Sequence, residues 1–167
     1  MLRNSLIGSL RQIKPILCSQ SLRSLSNGAN SGLTTIEVDD KSGIATLSMN
    51  LPPVNTLTLN LMHDLIDSIN QIECNKSRGL ILTSSNDKVF SAGLDLKELY
   101  KPDQERLKEF WTIFQDLWLA LHLCGIPTAA AINGHAPAAG CIMATACEYR
   151  VMLPDFVIGV HELSSGR

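Results

Sequence analysis

Polar and apolar residues alternate through TTIEVDD (34–40) and again through IATLSMN (44–50), with Lys41, Ser42 and Gly43 between them. A period of two on either side of turn residues predicts an antiparallel pair of strands. Two prolines between Asn50 and Asn55 take the chain out of that sheet. The period then changes. From Leu59 to Cys74, Met62, Leu65, Ile66, Ile69 and Ile72 recur at helical spacing, which predicts an amphipathic helix. GLILTS (79–84) is a short apolar run bounded by turn residues, the signature of a buried strand. Over 103–124, Leu107, Phe110, Trp111, Phe114, Leu117, Trp118 and Leu121 form one apolar stripe, with Glu105, Lys108, Glu109 and Asp116 at other positions. That is the clearest helix, and its two tryptophans read as core or helix-packing groups. Gly125 ends it, PTAAAIN (127–133) predicts a strand, and NGHAPAAG leads as a tight turn into the small-residue helix AAGCIMATAC. YRVML (149–153) predicts a last strand.

Strands that alternate with helices imply βαβ crossovers and an α/β fold. The 167 residues are 45% hydrophobic and 18% charged, enough apolar content for one globular core. The net charge of −2 gives no basic surface for nucleic acid, so none is expected as a partner. Charge is unevenly placed. Residues 1–36 hold Arg3, Arg11, Lys14 and Arg23 and no acidic residue, with Leu2, Leu6, Ile7, Leu10, Ile13 and Leu17 at helical spacings. A basic, Ser-rich, acid-free amphipathic start reads as a mitochondrial transit peptide, so residues 1–32 are assigned to presequence and linker and 33–167 to the domain. The expected location is the mitochondrial matrix. The apolar region from Phe110 to Cys147 is broken by Asp116, His122, Pro127, Asn133 and Pro137, so it reads as core elements, with no transmembrane segment. The five cysteines form no CxxC pair, so reduced thiols are expected and neither a metal site nor a disulfide framework. His63, His122 and His135 have no Cys or carboxylate partners at metal spacing and are read as structural or surface residues.

Two turns of small residues are the candidate chemistry. VFSAGLDLKEL (89–99) follows a strand, and INGHAPAAGCIMA (132–144) runs strand, turn, helix. Small side chains let backbone N–H groups approach a ligand. At a helix N-terminus those groups have no intrahelical partner, and the helix dipole adds positive potential. Two such amides aimed at one carbonyl oxygen would make an oxyanion hole. Each turn alone also fits a plainer role: Asp95 and Glu98 as a capping-box pair, Gly134 and Gly140 as turn and packing residues. GxGxxG, Walker A, GxSxG and HExxH patterns are absent from the sequence.

In combination and in this order, VFSAGLDLKEL, AAINGHAPAAGCIMATACEYRVM and FVIGVHE resemble the crotonase superfamily of acyl-coenzyme-A enzymes, over about residues 33–166. AGLDL, NGHAPAAGC and IGVHE are most similar to its Δ3,Δ2-enoyl-CoA isomerase branch. The resemblance implies an α/β, crotonase-like ββα spiral, here expected to lack its C-terminal helical region. It implies the backbone N–H groups of Leu94 and Ala139 as oxyanion donors. It implies Ala92, Gly93, Leu94, Asp95, Leu96 and Ala139 as the thioester-binding residues and Glu162 as the catalytic base. Hydratases of the superfamily carry a second glutamate where Ile142 stands, so the implied reaction is conversion of 3-enoyl-CoA to trans-2-enoyl-CoA in fatty-acid β-oxidation. The alternatives are 2-enoyl-CoA hydration and a catalytically inactive, truncated acyl-CoA-binding fragment. Acyl-CoA is the implied partner, with coenzyme A entering as the substrate thioester, no separate cofactor and no metal. A homotrimer is implied for complete relatives.

Overall fold

The computed structural model describes residues 32–160. The expected hairpin is present: β1 (Thr34–Val38) pairs antiparallel with β2 (Ile44–Met49). Asp39 makes the turn, accepting hydrogen bonds on its carboxylate from the Ser42 hydroxyl (2.5 Å) and the backbone N–H groups of Ser42 and Lys41. These bonds to the charged form hold its pKa below the usual carboxylate value. β3 (Thr56–Leu57) follows, then α1 (Leu59–Cys74), whose first turn is capped by the Thr58 hydroxyl accepting from Leu61 N–H. After it come β4 (Gly79–Ser84), β5 (Gly93–Leu94), the single turn α2 (Leu96–Leu99) and the long α3 (Gln104–His122). β6 (Thr128–Ile132), β7 (Ala136–Pro137), α4 (Ala139–Ala146), β8 (Tyr149–Met152) and β9 (Ile158–Gly159) complete the order.

The main sheet runs β1-β2-β4-β6-β8, parallel from β2 onward. Its inward residues follow the pleat: Ala45, Leu47 and Met49, then Leu80 and Leu82, then Ala130 and Ile132, all buried. Leu61, Met62, Leu65, Ile69 and Ile72 of α1 complete this core with Phe110, Phe114, Leu117 and Leu121 of α3. The parallel strands place β2, β4 and β6 with their carboxyl ends together, the edge where open α/β sheets bind ligands. All three chemistry-bearing segments leave the sheet from that edge.

The structure refines the sequence reading in several details. Trp111 is 41% exposed and pairs with Phe114 in a T-shaped contact, 5.9 Å between ring centres, while Trp118 packs partly buried against the core as expected and stacks on His122 at 4.5 Å. The apolar stripe of α3 is narrower than its sequence, because only Phe110, Phe114, Leu117 and Leu121 are buried, where the helix packs against α1 and α4. Cys124, Cys141 and Cys147 carry thiols. Desolvation pushes the buried Cys147 thiol up to about 11. Finally, β8 is an exposed edge: Tyr149 and Val151 are 66% and 72% exposed. Among the described residues no helix is long and apolar enough to cross a membrane.

The two neighbours Phe110 and Trp111 separate core from surface on one helix. Phe110→Ala is expected to cost about 3–5 kcal/mol in urea unfolding, and Trp111→Ala roughly 1 kcal/mol or less. Equal losses would contradict the placement of α3.

Candidate active site

The first small-residue turn is built around a buried asparagine that the sequence reading passed over. Asn55, 2% exposed, adopts the left-handed region at φ 48°, which Asn tolerates better than most residues. Its Nδ2 donates to Ser84 Oγ at 2.7 Å and to the Phe90 carbonyl at 3.1 Å, and its Oδ1 accepts from Leu51 N–H at 2.8 Å. Ser91, fully buried, donates its hydroxyl to the Asn55 carbonyl at 2.8 Å and accepts from Gly93 N–H at 3.2 Å. The relay Asn55–Ser91–Gly93 thus fixes the loop that enters β5. A buried amide with its hydrogen bonds filled is rigid, because releasing one partner leaves a desolvated polar group. The only sequence signal was an Asn beside two prolines, a turn cue without a partner.

β5 adds to β3 in parallel, with Thr56 opposite Gly93 and Leu57 opposite Leu94. Asp95 N–H donates to the Leu57 carbonyl at 3.3 Å. Successive N–H groups of a strand point to opposite sides, so the N–H of Leu94 faces away from β3. Gly93 sits at φ +95°, where an L side chain is strained.

The second turn is locked onto the first by backbone contact. Phe90 N–H and Ser91 N–H both approach the His135 carbonyl, at 2.9 and 3.4 Å, and His135 N–H donates to the Lys88 carbonyl at 2.9 Å. A Cβ placed on Gly134 would lie 2.4 Å from Val89 N, and one on Gly140 would lie 2.5 Å from the Ser91 carbonyl oxygen. Both obstacles are backbone, so the two turns approach as closely as they do only through glycine. Asn133 fills the remaining gap. Its Nδ2 donates to the Ser84 carbonyl at 2.8 Å, and its Oδ1 accepts from Ser84 N–H at 3.3 Å.

The second turn feeds α4. Its first intrahelical bond is Ile142 N–H to the Ala138 carbonyl, 3.2 Å, so the N–H of Ala139 precedes the helical ladder. The position a Cβ of Gly93 would take lies 3.3 Å from Ala139 N and 3.2 Å from Ala138 Cβ. Gly93 and Ala139 therefore lie side by side across the two turns, with no room for more than a methyl between them, and Leu94 is next in the chain. Ala138, the N-cap, has φ 51° and ψ −124° and no capping side chain. The residue of this turn that carries left-handed backbone is Ala138; Ala139 already begins the helix.

The remaining candidates are distributed as follows. Ala92 is exposed, Leu94 and Asp95 are half-buried, and Leu96 is 76% exposed. Asp95 caps α2 by accepting from Lys97 N–H at 3.0 Å. The capping box is incomplete, because Glu98 turns away to meet Arg106 through two bonds of 2.7 and 2.9 Å. That hydrogen-bonded pair lowers the Glu98 pKa and raises that of Arg106. Ile142 is half-buried and packs against the core. Glu162, and all but the last residue of the presequence and linker assigned to 1–32, lie outside the described residues. β9 does reach the site: it pairs in parallel with β7, and Ala138 N–H donates to the Gly159 carbonyl at 2.8 Å. Among the described residues no three His, Cys, Asp or Glu side chains are grouped to hold a metal.

A sheet whose crossovers bring two amide-bearing turns together is the architecture of one acyl-CoA enzyme class, and comparison with known proteins agrees. A family model described as enoyl-CoA hydratase/isomerase matches residues 39–167, and the chain belongs to that family. It is similar to "Enoyl-CoA delta isomerase 1, mitochondrial" of Rattus norvegicus, with 42% identity over 130 residues, 76% of this chain and 45% of the rat protein. The Homo sapiens protein of that name is 40% identical over 134 residues, 78% of this chain and 44% of the human protein. The crystal structure of human mitochondrial delta3-delta2-enoyl-CoA isomerase superposes with a TM-score of 0.76 at 39% identity, covering 80% of this chain and 53% of that one. The chain thus spans about half the length of the relatives it matches. The crotonase-like fold expected from the motifs is the fold observed.

Gly134→Ala and Gly140→Ala are each expected to destabilise by about 2 kcal/mol or more, since backbone cannot yield to the methyl. Gly125→Ala is the control: its Cβ would meet only the Glu73 carboxylate oxygen, 3.1 Å away on a flexible side chain. Unfolding midpoints that do not separate the two classes would refute the close approach. Ala138→Gly should stabilise by about 1 kcal/mol by removing a side chain from left-handed backbone; a lower melting temperature would refute the strain.

Proposed function

We propose that the chain carries the site for isomerising 3-enoyl-CoA to trans-2-enoyl-CoA, as part of fatty-acid β-oxidation in the mitochondrial matrix. The observation that carries this reading is the close approach of Gly93 to Ala139, where a Cβ on Gly93 would come within 3.3 Å of the Ala139 nitrogen, which juxtaposes the turns bearing the two proposed donor amides. The similarity to isomerases named as mitochondrial supports it.

In the proposed reaction the thioester carbonyl of the substrate sits between the N–H groups of Leu94 and Ala139. Ala92, Gly93, Asp95 and Leu96 form the adjoining wall for the coenzyme A portion. The Glu162 carboxylate removes a proton from C2. The C2–H electrons form the C2–C1 double bond of a dienolate, and negative charge moves to the thioester oxygen, where both amides and the N-terminal dipole of α4 stabilise it. The protonated Glu162 then delivers that proton to C4, and the double bond is left between C2 and C3. One proton leaves and one returns, so a single carboxyl group suffices. Neither metal nor separate cofactor takes part in this scheme.

Hydration makes a different demand. It adds a water, which needs a second polar group to hold it, and the position that would supply one is the half-buried, core-packed Ile142. That observation favours isomerase over hydratase. Assembly as a homotrimer, and a cleaved leader at residues 1–32, belong to the same proposal.

With 3-hexenoyl-CoA as substrate, absorbance from the conjugated product should rise with the wild-type chain and fall by about 10²-fold or more in Glu162→Gln. Water addition to 2-enoyl-CoA without isomerisation would replace this reading with hydratase. Neither reaction, with the chain insoluble alone but recovered on co-expression with a complete subunit, would replace it with an acyl-CoA-binding fragment.

A further inference from the structure

His135 stands where three segments meet, and only its backbone is used by the site described above. Its carbonyl receives Phe90 N–H and Ser91 N–H, and its N–H reaches the Lys88 carbonyl, which ties it to the first turn. Its side chain faces a different segment. The imidazole Nδ1 accepts a hydrogen bond from Val157 N–H at 3.1 Å, and the ring meets Phe156 edge-on at 5.1 Å between centres. Val157 opens the approach to β9, whose pairing with β7 continues through Ala136 N–H to the Val157 carbonyl at 2.9 Å and Ala138 N–H to the Gly159 carbonyl at 2.8 Å. Val157 is therefore bonded through both of its backbone groups, the carbonyl by the main chain of Ala136 and the N–H by the side chain of His135.

We propose that His135 is a positioning residue: its neutral imidazole, protonated on Nε2 and accepting on Nδ1, docks strand β9 against the turn that carries the Ala139 amide. The physical case is one of length. β9 has two residues, and β7 likewise, so their ladder supplies few bonds and starts abruptly. A side-chain acceptor just ahead of the ladder extends its hold by one donor and satisfies an N–H that the two-residue pairing does not reach. Because Gly159 accepts the Ala138 N–H, loosening β9 at its start also frees the N-cap of α4. Gly159 precedes Glu162 by three positions in the sequence, and a link from the latch to turnover rests on the role given to Glu162 under the proposed function.

The chemistry of the acceptor makes the latch testable. In asparagine, Oδ1 occupies the place of histidine Nδ1, one bond beyond Cγ. In glutamine the oxygen is one atom further out. His135→Asn therefore keeps the acceptor and loses the ring, His135→Gln keeps an amide and misplaces the acceptor, and His135→Ala loses both. In the full chain, amide hydrogen exchange read residue by residue should give Val157 a rate at least ~5-fold faster in His135→Ala and His135→Gln than in wild type, the size expected for one neutral hydrogen bond. His135→Asn should restore the slow rate. Under the proposed isomerase activity, kcat should fall in the Ala and Gln variants with KM for the acyl-CoA little changed, and recover in Asn.

Exchange at Val157 that is equal in all four proteins would overturn the latch. Loss in Asn as large as in Ala would overturn it too, by assigning the effect to the ring and Phe156. The exchange measurement does not depend on turnover. A chain that shows the expected exchange pattern and isomerises nothing would sustain the latch and reject the function; exchange as expected with kcat unaffected would reject only the link to catalysis.

Discussion

Two loops of this chain touch backbone to backbone, and most of what the molecule can do follows from that contact. Gly134 and Gly140 stand where a single methyl group would collide with Val89 N or the Ser91 carbonyl. Removing two side chains lets the second turn lie in the first as a strand lies beside a strand, with Phe90 N–H bonded to the His135 carbonyl. The sheet supplies the frame, since both turns leave from the carboxyl edge of β4 and β6. The polar residues Asn55, Ser84, Ser91 and Asn133 supply the rigidity. Their hydrogen bonds are internal to the junction, so displacing either turn would strand desolvated donors and acceptors. No buried side-chain polar atom of the described residues is left unpartnered.

The cost of this arrangement is local backbone strain at Ala138, which has left-handed φ without being glycine. Strain of this kind persists where surrounding structure determines the conformation several times over. Here three constraints act on one residue: Ala138 N–H is bonded to Gly159, its carbonyl starts α4, and its methyl lies against Gly93. What results is a helix start at Ala139 that packing holds in place. In the proposed reaction, a donor fixed in this way would stabilise the enolate oxygen without reorganising.

The elements of the main sheet and the two long helices were legible in the sequence because each spans enough residues to display a period. Leu47 and Met49 alternate with Thr46 and Ser48, and Leu65, Ile69 and Ile72 repeat at helical spacing, before any partner is considered. The strands β3, β5, β7 and β9 have two residues each and no period to read; they exist through pairing alone. The stripe of α3 was over-read because Trp111 falls within the apolar arc but beyond the neighbours that would bury it. At the site, small residues marked both turns, and family resemblance assigned roles to Leu94 and Ala139. Nothing local in the sequence marked Asn55 or Ser91 as their support, since a buried hydrogen bond requires a partner from 29 or more residues away. For the same reason His135 read as a structural or surface histidine, and its link to Val157 became visible only in three dimensions.

The central claim is that the N–H groups of Leu94 and Ala139 converge on one acceptor. The most direct measurement is the amide proton spectrum of the nitrogen-15-labelled chain, titrated with a saturated, unreactive acyl-CoA such as butyryl-CoA. Leu94 and Ala139 should move downfield together, with one shared saturation curve, as both amides bond the thioester oxygen. Movement of one without the other, or of neither while the ligand binds elsewhere, would contradict the claim.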